Sequence, residues 1–247
     1  MVLSALLTLS ATAIADDVVQ QVASRRIFFG HQSVGADILA GVNEVAQGKL
    51  RIREGRNASL LSAPGLLHTR IGQNETPASK IQDFEVAVDS LAGAGAIAFF
   101  KFCYVDFTAS TDVESLFADY LATFERLQQK YPRVTFVHFT VPLTVVSQGA
   151  MTWLKMAVTQ KAPWGAKENE ARHRFNTLLR TRLAHRQLFD LAALESRRSD
   201  GTVQTYAHQG QTLPALATEY SDDGQHLNSV GQRRVAEALL TFLARVP

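Results

Sequence analysis

The sequence is poor in sulfur and in charge of any one sign. Of 247 residues only one is cysteine, Cys103, and three are methionine. A lone cysteine closes no internal disulfide and lacks the second thiol of a zinc knuckle or a Cys-x-x-Cys redox pair, which excludes a disulfide scaffold and thiol redox chemistry. Lys and Arg number 25 against 23 Asp and Glu, and no run of five like charges occurs. The near balance, a net +2, offers no basic arm to a nucleic acid or to another polyanionic partner. Repeats, low-complexity tracts and a Pro- or Ser-rich linker are also missing, so nothing divides the chain. With 46% hydrophobic and 19% charged residues, the chain is rich enough in apolar side chains to build a continuous core and is no disordered segment.

The uncharged run at residues 2–15 is shorter than the roughly 20 residues a membrane span needs. It ends in Ala13-Ile14-Ala15, the small-x-small pattern of a signal-peptide cleavage site, and Asp16-Asp17 follow at once. No Lys or Arg precedes it, unlike the basic start of most signals. Residues 1–15 are therefore expected to be a cleaved secretory signal, residues 16–247 one domain, and the mature protein exported, periplasmic or secreted, with no stable membrane span.

After residue 16, short apolar runs alternate with longer helical patterns, the signature of a parallel sheet with crossover helices. Strands are expected at Arg26–Phe29, Leu50–Arg53 (a short edge), Ala96–Cys103, Val134–Val141 and Leu188–Leu194. The 96–103 run is almost continuously apolar, as a strand buried on both faces should be, and is placed centrally. Helical spacing covers Val34–Gln47, Lys80–Leu91, Thr111–Lys130, Glu168–Arg186 and Asn228–Arg245. Thr111 is expected to cap the third of these, with Glu114 completing a capping box. The Ser-, Asn-, Gly- and Pro-rich stretch up to Gly72 reads as a loop, and residues 144–166 as a surface insertion near a substrate pocket. Five short strands with interleaved helices give an α/β fold with a flavodoxin-like doubly wound parallel sheet, whose site lies at the C-terminal strand ends.

Two segments fall at such ends. Phe29-Gly30-His31-Gln32-Ser33-Val34-Gly35 places Ser33 between a strand and the start of a helix, where backbone N–H groups stabilise developing negative charge. Ser221-Asp222-Asp223-Gly224-Gln225-His226 precedes the last helix and sets Asp223 three residues before His226, within reach to orient the imidazole. A serine hydroxyl needs such a base, because little of it is ionised at neutral pH. Ser33 is also a good helix cap, and Asp223 a good turn residue, so each alone has a structural explanation. Asp222, four residues before His226, is the second choice.

In these features the chain resembles the SGNH (GDSL-type) hydrolases, a superfamily of esterases, lipases and carbohydrate deacetylases. The matching positions run through most of the chain in order: Ser33 after the first strand, Gly72, and Asp223 with His226 before the last helix. The resemblance implies a three-layer α/β/α sandwich with a five-stranded parallel sheet. It also implies Ser33 as nucleophile, His226 as general base and then acid, and Asp223 as the orienting carboxylate. Two departures stand out. The Gly-Asp-Ser motif appears as Gly30-His31-Gln32-Ser33, and the oxyanion-binding asparagine usual after the central strand is replaced by Phe102-Cys103-Tyr104-Val105-Asp106. Asn74 is the nearest substitute, giving an expected oxyanion hole of the Ser33 N–H, the Gly72 N–H and the Asn74 amide.

The activity implied is hydrolysis of a carboxylic ester, an O-acetyl or O-acyl group on a carbohydrate or a short-chain ester, with no cofactor or metal. The rivals are an SGNH-like module of weak catalysis that binds a polysaccharide or envelope partner, and a metal-assisted hydrolase using Asp223, His226 and His31. His31 is assigned a structural hydrogen bond near the site. Lys101 and Asp106 are expected to pair at the site wall, and Cys103 to be a small buried residue. His68, His138, His173, His185 and His208 are read as packing or surface residues. Trp153 and Trp164 are left between a ligand platform and a satellite core.

Overall fold

The computed structural model describes residues 16–56, 58–91, 96–147, 162–183 and 187–247. The expected signal at 1–15 and most of the expected insertion, Trp153 included, lie outside them, as does His185. Five parallel strands, β1 (Arg26–His31), β2 (Ile52–Glu54), β3 (Gly65–Arg70), β4 (Ile97–Phe100) and β5 (Thr135–Phe136), form one sheet in the order β2-β3-β1-β4-β5. Beyond Val137 the chain continues as β6 (His138–Phe139), which pairs in parallel with β7 (Leu188–Phe189). Apart from the short edge β2, the order along the sheet is thus that of a flavodoxin-like fold, with β1 and β4 flanking the switch point.

Successive strand residues point to opposite faces, and the sequence uses that alternation. Ile27, Phe29, Ile97 and Phe99 pack with the helices Val34–Ala46 and Ser229–Arg245. Phe28, Ala98, Phe100 and Phe136 pack with the helices Pro77–Leu91, Val113–Lys130 and Ala166–Arg182. Two apolar layers around one sheet make the expected three-layer α/β/α sandwich. Gly41 lets its helix touch the last one: a Cβ there would meet the Gln232 carbonyl oxygen at 2.3 Å. That close approach joins the two helices that follow the Ser33 and His226 segments.

The elements depart from expectation in several places; the run 134–141, expected as one strand, divides into β5 of the main sheet and β6 paired with β7, and the run 96–103 is strand only at Ile97–Phe100. Gly65–Arg70, read as part of a loop, is a strand paired on both sides, with β1 and with β2. Its first half is apolar but its second is His68-Thr69-Arg70, so no alternating pattern announced it. Leu188–Leu194 is strand only at 188–189; Asp190 then caps a short helix, Leu191–Ser196, through a hydrogen bond from the Ala193 N–H. The helix expected from Thr111 begins at Val113, and Asp112 caps it by accepting from the Ser115 N–H at 3.1 Å. A carboxylate at the cap satisfies an orphan donor and also favours the positive helix end.

Candidate active site

β1 ends two residues before Ser33, and the last helix begins three residues after His226, so that the two segments meet beyond the end of β1. The Ser33 Oγ lies 2.7 Å from His226 Nε2. The other ring nitrogen, Nδ1, lies 2.7 Å from Asp223 Oδ2. Ser33 occupies the position before its helix, yet its side chain makes no capping bond there. Its backbone is at φ 43°, a left-handed conformation that a non-glycine residue adopts only at a cost of about 1–3 kcal/mol. A serine serving as a cap would sit in the extended region and donate no such strain. The hydroxyl is thus turned away from the helix and toward an imidazole, the placement that nucleophilic activation of a serine requires.

The loop before the last helix is built around Asp223. Its Oδ1 accepts from the backbone N–H of His226 (2.7 Å) and Gln225 (2.8 Å), and from the Ser221 hydroxyl (3.2 Å). These bonds leave Oδ2 for the imidazole. The backbone N–H of His226 above all, against desolvation and then with help from the imidazole and the Gln225 N–H, holds the Asp223 carboxyl well below the usual carboxylate range. Asp223 is therefore a permanent anion that fixes the proton on Nδ1 and leaves the Nε2 lone pair for Ser33. Asp222, the second choice, accepts instead from the Asn228 side chain at 3.1 Å. The loop is tied to the Ser33 helix by the Leu227 N–H, which donates to Asp37 Oδ2 at 3.2 Å.

Tyr104 supplies a third wall. It follows β4, and its ring stands edge-on to the His226 imidazole, with centroids 5.7 Å apart. Burial chiefly, and then the charge of Asp223, raises its phenol pKa, while a hydrogen bond with Ser33 opposes the rise. Nothing in the sequence pointed to Tyr104 beyond its place in the Phe102–Asp106 segment, where the resemblance led one to expect an asparagine.

Of the three groups expected to form an oxyanion hole, the structure brings Ser33 and Asn74 to one cavity and turns the Gly72 N–H elsewhere. The Gly72 N–H does not face Ser33: it donates to Asp83 Oδ2 at 2.7 Å, and an N–H has a single proton to give. Gly72 has a different task. At φ 54°, with a would-be Cβ 2.6 Å from the Lys80 nitrogen, it lets the loop 72–76 lie against the start of the next helix. Asn74, by contrast, lines the same cavity as Ser33. Its Oδ1 accepts from Lys80 Nζ at 3.0 Å, which leaves the amide NH2 as its free donor end. The Ser33 N–H donates to no acceptor among the described residues.

That cavity, of ≈ 490 Å³, is also lined by His31, His68, Arg70 and Glu54. His68, read as a packing or surface residue, thus belongs to the site wall. His31 Nε2 lies 3.1 Å from His68 Nδ1, the structural bond expected of it. Burial first, then His68 and Lys101, depress the His31 pKa to about 3, and burial lowers that of His68 as well. Both rings are neutral at neutral pH. The Nδ1 of His31 is buried without a partner, which an unprotonated nitrogen tolerates better than an N–H. His31 then donates from Nε2, and the His68 Nε2–H is the donor that remains. His31 is bonded to His68 rather than joined to Asp223 and His226. Among the described residues no three His, Cys, Asp or Glu side chains are grouped as metal ligands.

The expected Lys101–Asp106 pair is not formed. Asp106 Oδ2 lies 2.5 Å from Lys80 Nζ, both side chains fully buried. Lys101 donates to the Phe102 carbonyl and to Cys103 Sγ, and burial lowers its pKa. Cys103 is buried, as expected. Trp164 is 57% exposed and approaches Gly224 of the His226 loop.

No family model and no curated protein matches the chain. Among solved structures, a Streptococcus pneumonia protein described provisionally as a platelet activating factor is 14% identical, with a TM-score of 0.49, covering 98% of this chain and 99% of that one. The CTD of the Drosophila Oskar protein is 11% identical (TM-score 0.41; 79% of this chain, 88% of that one). A Chitinophaga pinensis protein described as a possible lipase is also 11% identical (TM-score 0.36; 87% and 95%). At these scores the likenesses carry no argument about chemistry, and the names remain those proteins' own.

Proposed function

We propose that this chain is a serine hydrolase of SGNH type that cleaves a carboxylic ester, an O-acetyl or O-acyl group of a carbohydrate or a short-chain ester, through an acyl-enzyme. The observation that carries the reading is the unbroken series Ser33 Oγ, His226 Nε2, His226 Nδ1, Asp223 Oδ2, with 2.7 Å at each hydrogen bond. Ser33 attacks the ester carbonyl carbon while its proton passes to His226 Nε2. The resulting oxyanion faces the Ser33 N–H and the Asn74 amide. Collapse expels the alcohol, which takes the proton back from His226. Water then attacks the acyl carbon with His226 again as base, releasing the acid and restoring Ser33. Residues 1–15 are proposed to direct export and to be removed before this activity is expressed.

Hydrolysis of p-nitrophenyl esters of increasing chain length, alongside acetylated sugars, tests the proposal. Turnover by the wild type that is abolished in Ser33→Ala supports it. The capture of the Gly72 N–H by Asp83 favours one second reading, a weakly catalytic module that binds polysaccharide, since it removes a donor from the oxyanion site. Saturable binding of a polysaccharide with no Ser33-dependent turnover would establish that alternative.

A further inference from the structure

The hydrolase reading leaves a buried ion pair beside the site without a task. Lys80 is fully buried in the helix Pro77–Leu91, and its Nζ lies between Asp106 Oδ2 at 2.5 Å and Asn74 Oδ1 at 3.0 Å. Asp106 also accepts from the Cys103 N–H (2.6 Å) and, through its other oxygen, from the Glu75 N–H (3.1 Å). One carboxylate thus ties the segment after β4 to the loop that carries Asn74. Ion pairs of this burial are seldom kept for stability alone, because desolvating both charges offsets most of their attraction.

We propose that Lys80 and Asp106 are positioning residues that turn Asn74 into an oxyanion donor. This rests on the hydrolase reading above. An asparagine amide has two ends of similar shape, and in solution either can face a cavity. An ammonium has donors only, so it bonds solely to the carbonyl oxygen of Asn74 and fixes the NH2 as the other end. The same contact draws electron density toward Oδ1 and makes the NH2 a stronger donor, as in any charge-assisted chain of hydrogen bonds. Asp106 neutralises the ammonium and sets its position, while the Glu75 N–H bond holds the loop in place. The chain therefore has an asparagine donor where the usual position offers Tyr104, with the buried pair holding it in register from a different strand end.

The experiment is a double-mutant cycle on p-nitrophenyl acetate, with wild-type Ser33 first checked for labelling by a fluorophosphonate. Lys80→Gln keeps a neutral donor for Asn74, and Lys80→Met with Asp106→Asn removes both buried charges while the one carbonyl oxygen of the new amide keeps an acceptor for either the Cys103 or the Glu75 N–H. Each is expected to lower kcat by about 10- to 100-fold, with KM within about twofold, from misdirection of one catalytic group. In an Asn74→Ala background the same substitutions should cost less than about twofold more, because the group they position is gone. A purely structural role would lower kcat by the same factor in both backgrounds. That result, or an unchanged kcat when the substitutions are made in the protein that retains Asn74, overturns the positioning role and leaves the labelled serine hydrolase standing. Absence of Ser33 labelling overturns both. If either variant fails to fold, the other decides by the same criteria.

Discussion

Replacing Asp223 by asparagine changes one oxygen for an NH2 at nearly constant size, and the loop geometry dictates which way the amide turns. The Oδ1 side faces three donors, the N–H groups of His226 and Gln225 and the Ser221 hydroxyl. Only the asparagine carbonyl satisfies them, so its NH2 must face His226 Nδ1. Two donors would then confront one another unless the imidazole moves its proton to Nε2. With Nε2 protonated, the atom 2.7 Å from the Ser33 hydroxyl has no lone pair to take the proton. Loss of the correct tautomer in a serine–histidine–carboxylate arrangement costs about 10⁴ in kcat, or about 5 kcal/mol of barrier. Since the Asp223 side chain is half exposed, the substitution should leave the fold intact. The assay is steady-state hydrolysis of p-nitrophenyl acetate, with thermal unfolding in parallel. A variant within about tenfold of wild-type kcat would refute the orienting role of Asp223.

Asn74→Ala alone should lower kcat by about 100- to 1,000-fold with little change in KM, if its NH2 meets the oxyanion; unchanged turnover in steady-state kinetics removes it from the site. Glu195 is buried and its pKa is raised from 4.5 to about 8, chiefly by desolvation. The folded protein thus keeps a proton that the unfolded chain releases. The stability tied to this group is complete below pH 4.5 and lost as pH rises to about 8. Glu195→Gln keeps an acceptor for the Leu143 N–H and should gain stability over wild type across that window, with an upper bound on the order of 3 kcal/mol at pH 7. Denaturant melts at pH 5 and pH 7.5 check this, and an equal difference at both would contradict it.

What the sequence revealed and what it concealed divide along physical lines. The alternation of Ile27, Phe28 and Phe29, and of Ile97 through Phe100, is period-two burial on both faces, so the layered fold was legible. The Ser33 segment was legible because a strand end and a helix start bracket it, and the His226 segment because Asp223 stands three residues before the histidine and just ahead of the last helix. β3 was not, since its C-terminal half carries His68 and Arg70 for the cavity wall and so abandons the apolar pattern of a central strand. Lys80 looked like the polar start of an amphipathic helix; nothing local shows that a lysine will be enclosed when its partners are 6 and 26 residues away. The same reason defeated the Lys101–Asp106 expectation, which rested on proximity in sequence. The Gly72 N–H was expected at the oxyanion site from the resemblance, but its destination depends on Asp83, eleven residues on.

A fluorophosphonate reacts rapidly with a serine whose proton a neighbouring base removes, and it leaves a stable phosphonyl ester that peptide mass spectrometry can locate. The protein incubated with such a probe should gain one adduct, on the peptide containing Ser33, at a rate that collapses in His226→Ala and vanishes in Ser33→Ala. A folded wild-type protein that stays unlabelled, or one labelled at a different serine, would contradict the account.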